Sequence, residues 1–277
     1  MINPLYSVLY GELVLSLYPL LIKTVNTNIY TQVLARFLVF PILALFSSTV
    51  SFRSLFSWSS IFPNILNMIH VFVSYYAFKI LPIGIALTLF YLYPFFNVIA
   101  SYFLFGESVS LLSIVLIMVS LVGVYLIATS NEQNMYVSNY TIGIVCAIVA
   151  AITETMIYVF VRSESKASPF YAVSQLYPFG LLLLVVYGIF NIKIVDVSMH
   201  HWMKLIGFNA LLGFTGYIAR FYSMPKITAT TFSLLSFFGV AFGYLWGKLF
   251  TNDIISNKAI IGSLFITTSI AILRYFE

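Results

Sequence analysis

The sequence predicts an all-α membrane protein with ten transmembrane helices, arranged as two inverted five-helix repeats. Three observations carry this expectation. The chain is 61% hydrophobic and only 8% charged, whereas a soluble domain needs roughly a quarter of its residues charged to cover its surface. It divides into ten apolar stretches, each near the ~20 residues that cross a bilayer. A proline-led segment also recurs 143 residues apart. Phe78-Lys-Ile-Leu-Pro82-Ile-Gly-Ile-Ala86-Leu-Thr88 is matched by Phe221-Tyr-Ser-Met-Pro225-Lys-Ile-Thr-Ala229-Thr-Thr231, with Phe, Pro, Ala and Thr at the same offsets. A duplicated membrane half is the usual ground plan of a transporter.

The predicted spans lie at roughly 4–23, 31–50, 61–79, 82–105, 110–129, 141–161, 169–190, 202–222, 225–250 and 257–275. Turn or charge signals separate them: Asn26-Thr-Asn28, Ser57-Trp-Ser-Ser60, Gly106-Glu107 and Ser165-Lys-Ala-Ser-Pro169. The most polar linker, Ser130 to Asn139, falls at mid-chain. It divides a first repeat, 1–130, from a second, 131–277. A shift of 139 residues brings Lys23 onto Arg162 and Arg36 onto Gln175. Five spans is an odd number, so the second half sits inverted relative to the first.

Thirteen basic residues against eight acidic ones leave a formal charge of +5. They are scattered at helix ends, where they set topology and anchor in lipid, and no basic patch suits nucleic acid. With both termini cytoplasmic, Arg53, Arg162, Lys166, Arg220, Lys226 and Arg274 fall inside. Lys23, Lys79, Lys193, Lys204, Lys248 and Lys258 then fall outside, so charge bias does not orient the chain. The single cysteine, Cys146, excludes an internal disulfide. Residues 1–22 lack a basic start and a cleavage site and read as a retained first helix.

The run from Pro82 through Tyr93-Pro94 to Phe105-Gly106-Glu107-Ser-Val-Ser110, then Gly123-Val-Tyr-Leu126, resembles the fourth and fifth helices of EamA-type members of the drug/metabolite transporter superfamily. Pro225 to Leu273 resembles the same unit with departures. Asp253 replaces the glutamate, no proline corresponds to Pro94, and Ser269 stands where Gly123 does. The resemblance covers about residues 4–275. It implies a ten-helix transporter with cytoplasmic termini and a central cavity worked by alternating access, and it implies no particular substrate.

Ionisable side chains are costly in hydrocarbon and face a cavity or a partner. Glu12 shares one helical face with Ser16, Pro19 and Lys23, and its carboxylate suits a cationic group or a coupling proton. Arg36 stands above Gln32, and its planar fork suits a carboxylate or phosphate. Its alignment with Gln175 makes the halves chemically unequal, as a zwitterion would require. His70 shares a stripe with Asn64, Asn67 and Ser74. Glu154 shares a face with Ala147, Ala150 and Tyr158. Tyr91 precedes Pro94 on the cavity helix, where its ring can stack on a cation. Glu12, Arg36, His70, Tyr91, Glu154 and Gln175 are therefore the candidate substrate contacts. Packing alone remains the competing account of each. Arg220 reads as a boundary anchor, with Gly213 and Gly216 permitting close packing. Glu107 and Asp253 read as structural caps of helix connections.

The leading expectation is a secondary-active transporter of small polar or zwitterionic metabolites, amino-acid-like or S-adenosylmethionine-like. Its partners are the lipid bilayer, the solute, and a coupling proton or an exchanged solute. It is expected to act as a monomer or weak homodimer in a cell, inner or organelle membrane. No G-x-x-x-x-G-K-[ST] loop supplies nucleotide energy, and no cofactor or metal cluster is evident. A channel or a multi-pass scaffold is the alternative. A membrane-embedded enzyme is less favoured, because H-E-x-x-H, G-x-S-x-G and paired intramembrane aspartates are absent from the sequence.

Overall fold

The computed structural model describes residues 3–47, 50, 58–81, 83–129, 139–164, 168–191, 195, 198–251 and 256–276. Arg53, Ser57, Pro82, Lys166, Lys193, Asp253, the linker residues 130–138, the break at 165–167 and the side chain of Arg274 lie outside the described residues. Among those described, every regular element is helical. The first half contributes α1 (Pro4–Leu15), α2 (Tyr18–Thr24), α3 (Ile29–Ala44), α4 (Ile61–Ile80), α5 (Ile83–Phe90), α6 (Tyr93–Phe105) and α7 (Leu111–Ala128). The second contributes α8 (Tyr140–Ser163), α9 (Pro169–Leu176), α10 (Pro178–Phe190), α11 (Met199–Phe208), α12 (Phe214–Ser223), α13 (Ala229–Ser236), α14 (Phe238–Thr251) and α15 (Asn257–Phe276).

Six helical rods among these residues are long and apolar enough to cross a membrane: Pro4–Thr24, Trp58–Ile80, Ala86–Phe105, Tyr140–Ser163, Pro169–Phe190 and Ala229–Phe250. Ile29–Ala44, Leu111–Ile127 and Asn257–Leu273 are shorter apolar helices. Helices α11 and α12 run together through a π-helical turn, Asn209–Gly213. Large apolar side chains such as Tyr6, Phe103, Leu111 and Phe190 are exposed on the outer surface, as lipid contact requires. This is an integral, multi-pass membrane protein.

Most helix starts follow from local capping. Asn3, Asn28, Ser110, Ser168 and Thr228 each accept a backbone N–H from the first turn of the helix they precede, satisfying donors that a helix start leaves open. Helix α6 ends at Gly106, whose φ of 65° is the left-handed cap conformation natural to glycine.

Two boundaries differ from the sequence reading. The second predicted span ends at Ala44 rather than residue 50, after Pro41 within α3. In the second copy of the repeat the proline does not head the helix. Pro225 occupies a turn, and α13 begins at Ala229 because Thr228 caps it.

Close crossings rest on small residues. Helix α1 lies on α12, where a Cβ on Gly11 would stand 2.6 Å from Arg220 Cγ and one on Gly216 2.6 Å from Val14 Cγ2. Helix α7 lies on α15, where a Cβ on Gly123 would stand 2.6 Å from the Gly262 carbonyl.

Candidate functional site

Three of the rods are broken mid-course by a proline, and each break carries the same tripeptide. Leu17-Tyr18-Pro19 separates α1 from α2, Leu92-Tyr93-Pro94 separates α5 from α6, and Leu176-Tyr177-Pro178 separates α9 from α10. A proline lacks the N–H of the i→i−4 ladder and interrupts it. Tyr18 and Tyr93 line a central cavity, and Tyr177 stacks on a cation that also lines it. The cavity is narrow, about 50 Å³, room for a few water molecules.

Arg36, from α3, is 2% exposed. Its Nε and Nη2 donate to the Tyr177 hydroxyl at 3.2 and 2.8 Å. The guanidinium carbon lies 4.5 Å from the Tyr217 ring centroid, 5.1 Å from Tyr18 and 5.3 Å from Phe40. No carboxylate among the described residues pairs with it. Among the described residues the cation is held by π faces and phenolic hydroxyls.

Tyr177 is fixed by α4. Asn64 donates to the Gln175 carbonyl at 2.7 Å and accepts from the Phe179 N–H at 2.9 Å; Asn67 donates to the Leu176 carbonyl at 2.9 Å. These bonds satisfy backbone groups around the break at Pro178. The stripe Asn64, Asn67, His70 and Ser74 therefore has two uses: its first half braces the broken helix, and its second half lines the cavity.

A second cluster gathers charges from four helices. Arg220 of α12 approaches Glu12 of α1 (Nε to Oε1, 3.2 Å) and Glu154 of α8 (Nη1 to Oε1, 2.9 Å). Its Nη2 donates to the Tyr93 hydroxyl at 3.2 Å. Glu154 Oε2 lies 3.2 Å from His70 Nε2 of α4. Tyr91 and Tyr93 donate to Glu12 Oε2 and Oε1 at 3.2 and 3.4 Å. All four charged or titratable groups are buried, and Glu154 sits just behind the cavity wall that Glu12, His70, Tyr91 and Arg220 help to form. A buried pair that loses one partner leaves an uncompensated charge at a cost of about 3–5 kcal/mol. The cluster is thus a strong constraint on how α1, α4, α8 and α12 sit.

Gln175 is not brought to this cavity. It is buried in α9, its amide 3.4 Å from Ser174 Oγ; the aromatic two residues later, Tyr177, is what meets Arg36. Arg220 is not a boundary anchor. Its end of α12 packs under the start of α1, where Ser223 donates to the Pro4 carbonyl at 2.9 Å and Phe221, Ser223 and Met224 are buried. Depth counted along an apolar run fails when the run ends inside the protein.

Glu107 acts at a helix connection as the sequence suggests. It pairs with Arg162, and its Oε2 accepts the Ala229 N–H at 2.9 Å, capping α13 from the other half. Arg162 also donates to the Tyr158 hydroxyl and to the carbonyls of Met224 and Ile227.

Residues 141–275 match the EamA-like transporter family. The chain is 25% identical over 229 residues to Uncharacterized transporter sll1319 of Synechocystis sp., covering 79% of this chain and 67% of that protein. It is 23% identical over 208 residues to Pseudopaline exporter CntI of Pseudomonas aeruginosa, covering 74% and 71%. The chain is a transporter whose second half is similar to the EamA-like family. A solved crystal structure shares its fold, with a TM-score of 0.78 at 15% identity over 99% of this chain and 97% of that one.

In this transporter, of the residues expected from the sequence, Glu12, Arg36, His70 and Tyr91 line the cavity and Glu154 pairs with Arg220 and His70 beside it. The sequence did not point to Tyr18 or Tyr177, or to Arg220 as more than an anchor. The triple Leu-Tyr-Pro was the available signal for the tyrosines. For Arg220 the signal was Gly216, one turn before it, facing α1 beside Gly11.

Proposed function

We propose that this transporter is a secondary-active carrier of small polar or zwitterionic metabolites, amino-acid-like or S-adenosylmethionine-like. It works by alternating access between two inverted five-helix repeats, 1–130 and 131–277. Arg36 carries the reading. A buried guanidinium that faces the cavity with no carboxylate partner among the described residues is a ready seat for a substrate carboxylate, which would bind it bidentately. Glu12, His70, Tyr91 and Arg220 form the wall that a cationic or aromatic end would meet, with Glu154 behind. The relative named as an exporter of pseudopaline supports a small-molecule cargo.

Helix pairings support ten spans in two repeats. Rod 4–24 packs on 199–223, and 140–163 packs on 58–80; exchanging the halves interconverts the two pairs. The rods 29–44 and 169–190 pack on each other, as do 111–128 and 257–276, each pair mapping onto itself. Lys23 Nζ donates to the Leu81 carbonyl at 3.1 Å, before Pro82, and Arg162 donates to the Met224 carbonyl at 3.5 Å, before Pro225. The narrow cavity fits a conformation closed around the site, from which rocking of one half would open each side in turn.

The test is radiolabelled counterflow in proteoliposomes across a panel of L-amino acids and S-adenosylmethionine, with Glu12→Gln and Arg36→Ala in parallel. Exchange of a carboxylate-bearing solute that Arg36→Ala abolishes is expected. Wild-type rates in both variants overturn the site, and ion flow at channel rates without solute exchange overturns the carrier reading.

A further inference from the structure

The charges around the cavity sum to zero as built. Arg36 and Arg220 are balanced by Glu12 and Glu154 when His70 is neutral. The two arginines are not equivalent. Arg220 lies between both carboxylates, while Arg36 has none among the described residues. A carboxylate seated on Arg36 therefore leaves the buried ring one negative charge in excess, in surroundings where an unbalanced charge is costly.

The place where that excess can be met is the His70–Glu154 pair. His70 Nδ1 lies 3.2 Å from the Ala150 carbonyl and 3.1 Å from Thr153 Oγ1, whose own hydroxyl donates to the Val149 carbonyl at 2.8 Å. On the other side, Nε2 lies 3.2 Å from Glu154 Oε2. Each ring nitrogen thus lies within 3.2 Å of an oxygen, so a proton gained by the pair has an acceptor close on either side. Neither oxygen of Glu154 receives an aligned hydrogen bond, which leaves lone pairs open toward a proton. The charged and titratable groups around the pair are Arg36 on α3, Arg220 and Tyr217 on α12, Glu12 on α1, and Tyr91 and Tyr93 beside α5 and α6.

We propose that the His70–Glu154 pair is a proton site filled when an anionic group occupies Arg36, so that a net-negative substrate crosses with one proton and a zwitterion crosses with none. The step is simple in its balance. A proton arrives from solution and forms one N–H or O–H bond within the pair, the substrate keeps its carboxylate ionised, and the ring returns to zero. The proposal rests on Arg36 as the substrate anchor.

Removing the Arg36 charge imitates the arrival of an anion, so the proposal is testable without a substrate. The full chain, labelled with ¹⁵N-histidine and reconstituted in lipid nanodiscs, is titrated by NMR; it holds three histidines, and His70→Gln assigns the signal. Arg36→Gln is expected to raise the His70–Glu154 midpoint by about one pH unit or more, and Arg36→Lys to leave it near wild type. Glu12→Gln, which removes a negative charge, is expected to move it the other way. It provides the decisive measurement should Arg36→Gln fail to fold. Coincident wild-type and Arg36→Gln titrations overturn the proposal. So does an equal shift in Arg36→Lys, or a Glu12→Gln titration that is unmoved or moved upward. Counterflow reports transport whatever the state of His70, so failure of the carrier reading is seen separately.

Discussion

Arg36 and Tyr177 are joined by two hydrogen bonds, 3.2 and 2.8 Å, that tie α3 to the break between α9 and α10. The phenolic oxygen is the acceptor nearest to hand for a cation that has no carboxylate among the described residues. Tyr177→Phe removes it and leaves two buried N–H groups without that acceptor. The expected loss is about 1–3 kcal/mol of stability, read as a lower midpoint of thermal unfolding in detergent. Phe40→Leu, which keeps both hydrogen bonds, is expected to cost less than Tyr177→Phe; the reverse order would show that π contact dominates.

Asn64 braces the Pro178 break through the Gln175 carbonyl and the Phe179 N–H. Asn64→Leu removes both hydrogen bonds, at a cost of about 1–3 kcal/mol. Amide exchange across residues 175–180 is expected to accelerate, while exchange in α15, which does not touch this break, stays unchanged.

Gly239 lies against the site although nothing in its own sequence context marks it. A Cβ there would stand 2.6 Å from Glu12 Oε2 and collide with the Tyr91 hydroxyl. Gly239→Ala is expected to cost about 1–3 kcal/mol by overpacking and to lower counterflow at least tenfold with helicity by circular dichroism intact. Wild-type exchange in this variant would remove Tyr91 from the set of working contacts.

Arg220 serves two carboxylates, so its loss strands both. Arg220→Met is expected to destabilise by about 3–5 kcal/mol. The triple variant Arg220→Met, Glu12→Gln, Glu154→Gln is expected to recover part of that, because neither carboxylate is left stranded, while Arg36 remains as an unbalanced buried charge. A chemical-denaturation series on the single and triple variants checks the non-additivity.

Glu107 holds the N-terminus of α13 and pairs with Arg162, linking the α6–α7 connection to α8 and α13. Glu107→Gln keeps the cap and weakens the charge pair. Amide protection in the first turn of α13 is expected to fall several-fold less than in Glu107→Ala. Equal losses would show that the ion pair, rather than the cap, does the holding.

Much of this was legible in the sequence, for identifiable reasons. An apolar run of membrane length needs no partner to be recognised, since the bilayer itself requires every backbone group to be bonded within the segment. The carboxylates Glu12 and Glu154 and the cation Arg36 stood out because charge at depth has few inexpensive explanations. Gln175 does not line the cavity, because a 139-residue shift along the sequence carries position along a helix but not rotation about it. Tyr18 and Tyr93 line the cavity and Tyr177 meets Arg36, all three where prolines break the rods.

The sequence by itself determined that the chain lives in a membrane, that it is helical, that it carries a duplicated proline segment, and that a few charges lie too deep to be ordinary. Those are properties of single segments, set by hydropathy, period and the geometry of proline. Only the tertiary structure decided which charges meet. Arg220 reaches Glu12 because Gly11 and Gly216 let α1 and α12 approach, and Arg36 meets no carboxylate among the described residues because aromatic rings from α2, α3 and α12, together with Tyr177, surround it instead. Pairing depends on the rotation and depth of helices against one another, which close packing sets and no one helix encodes.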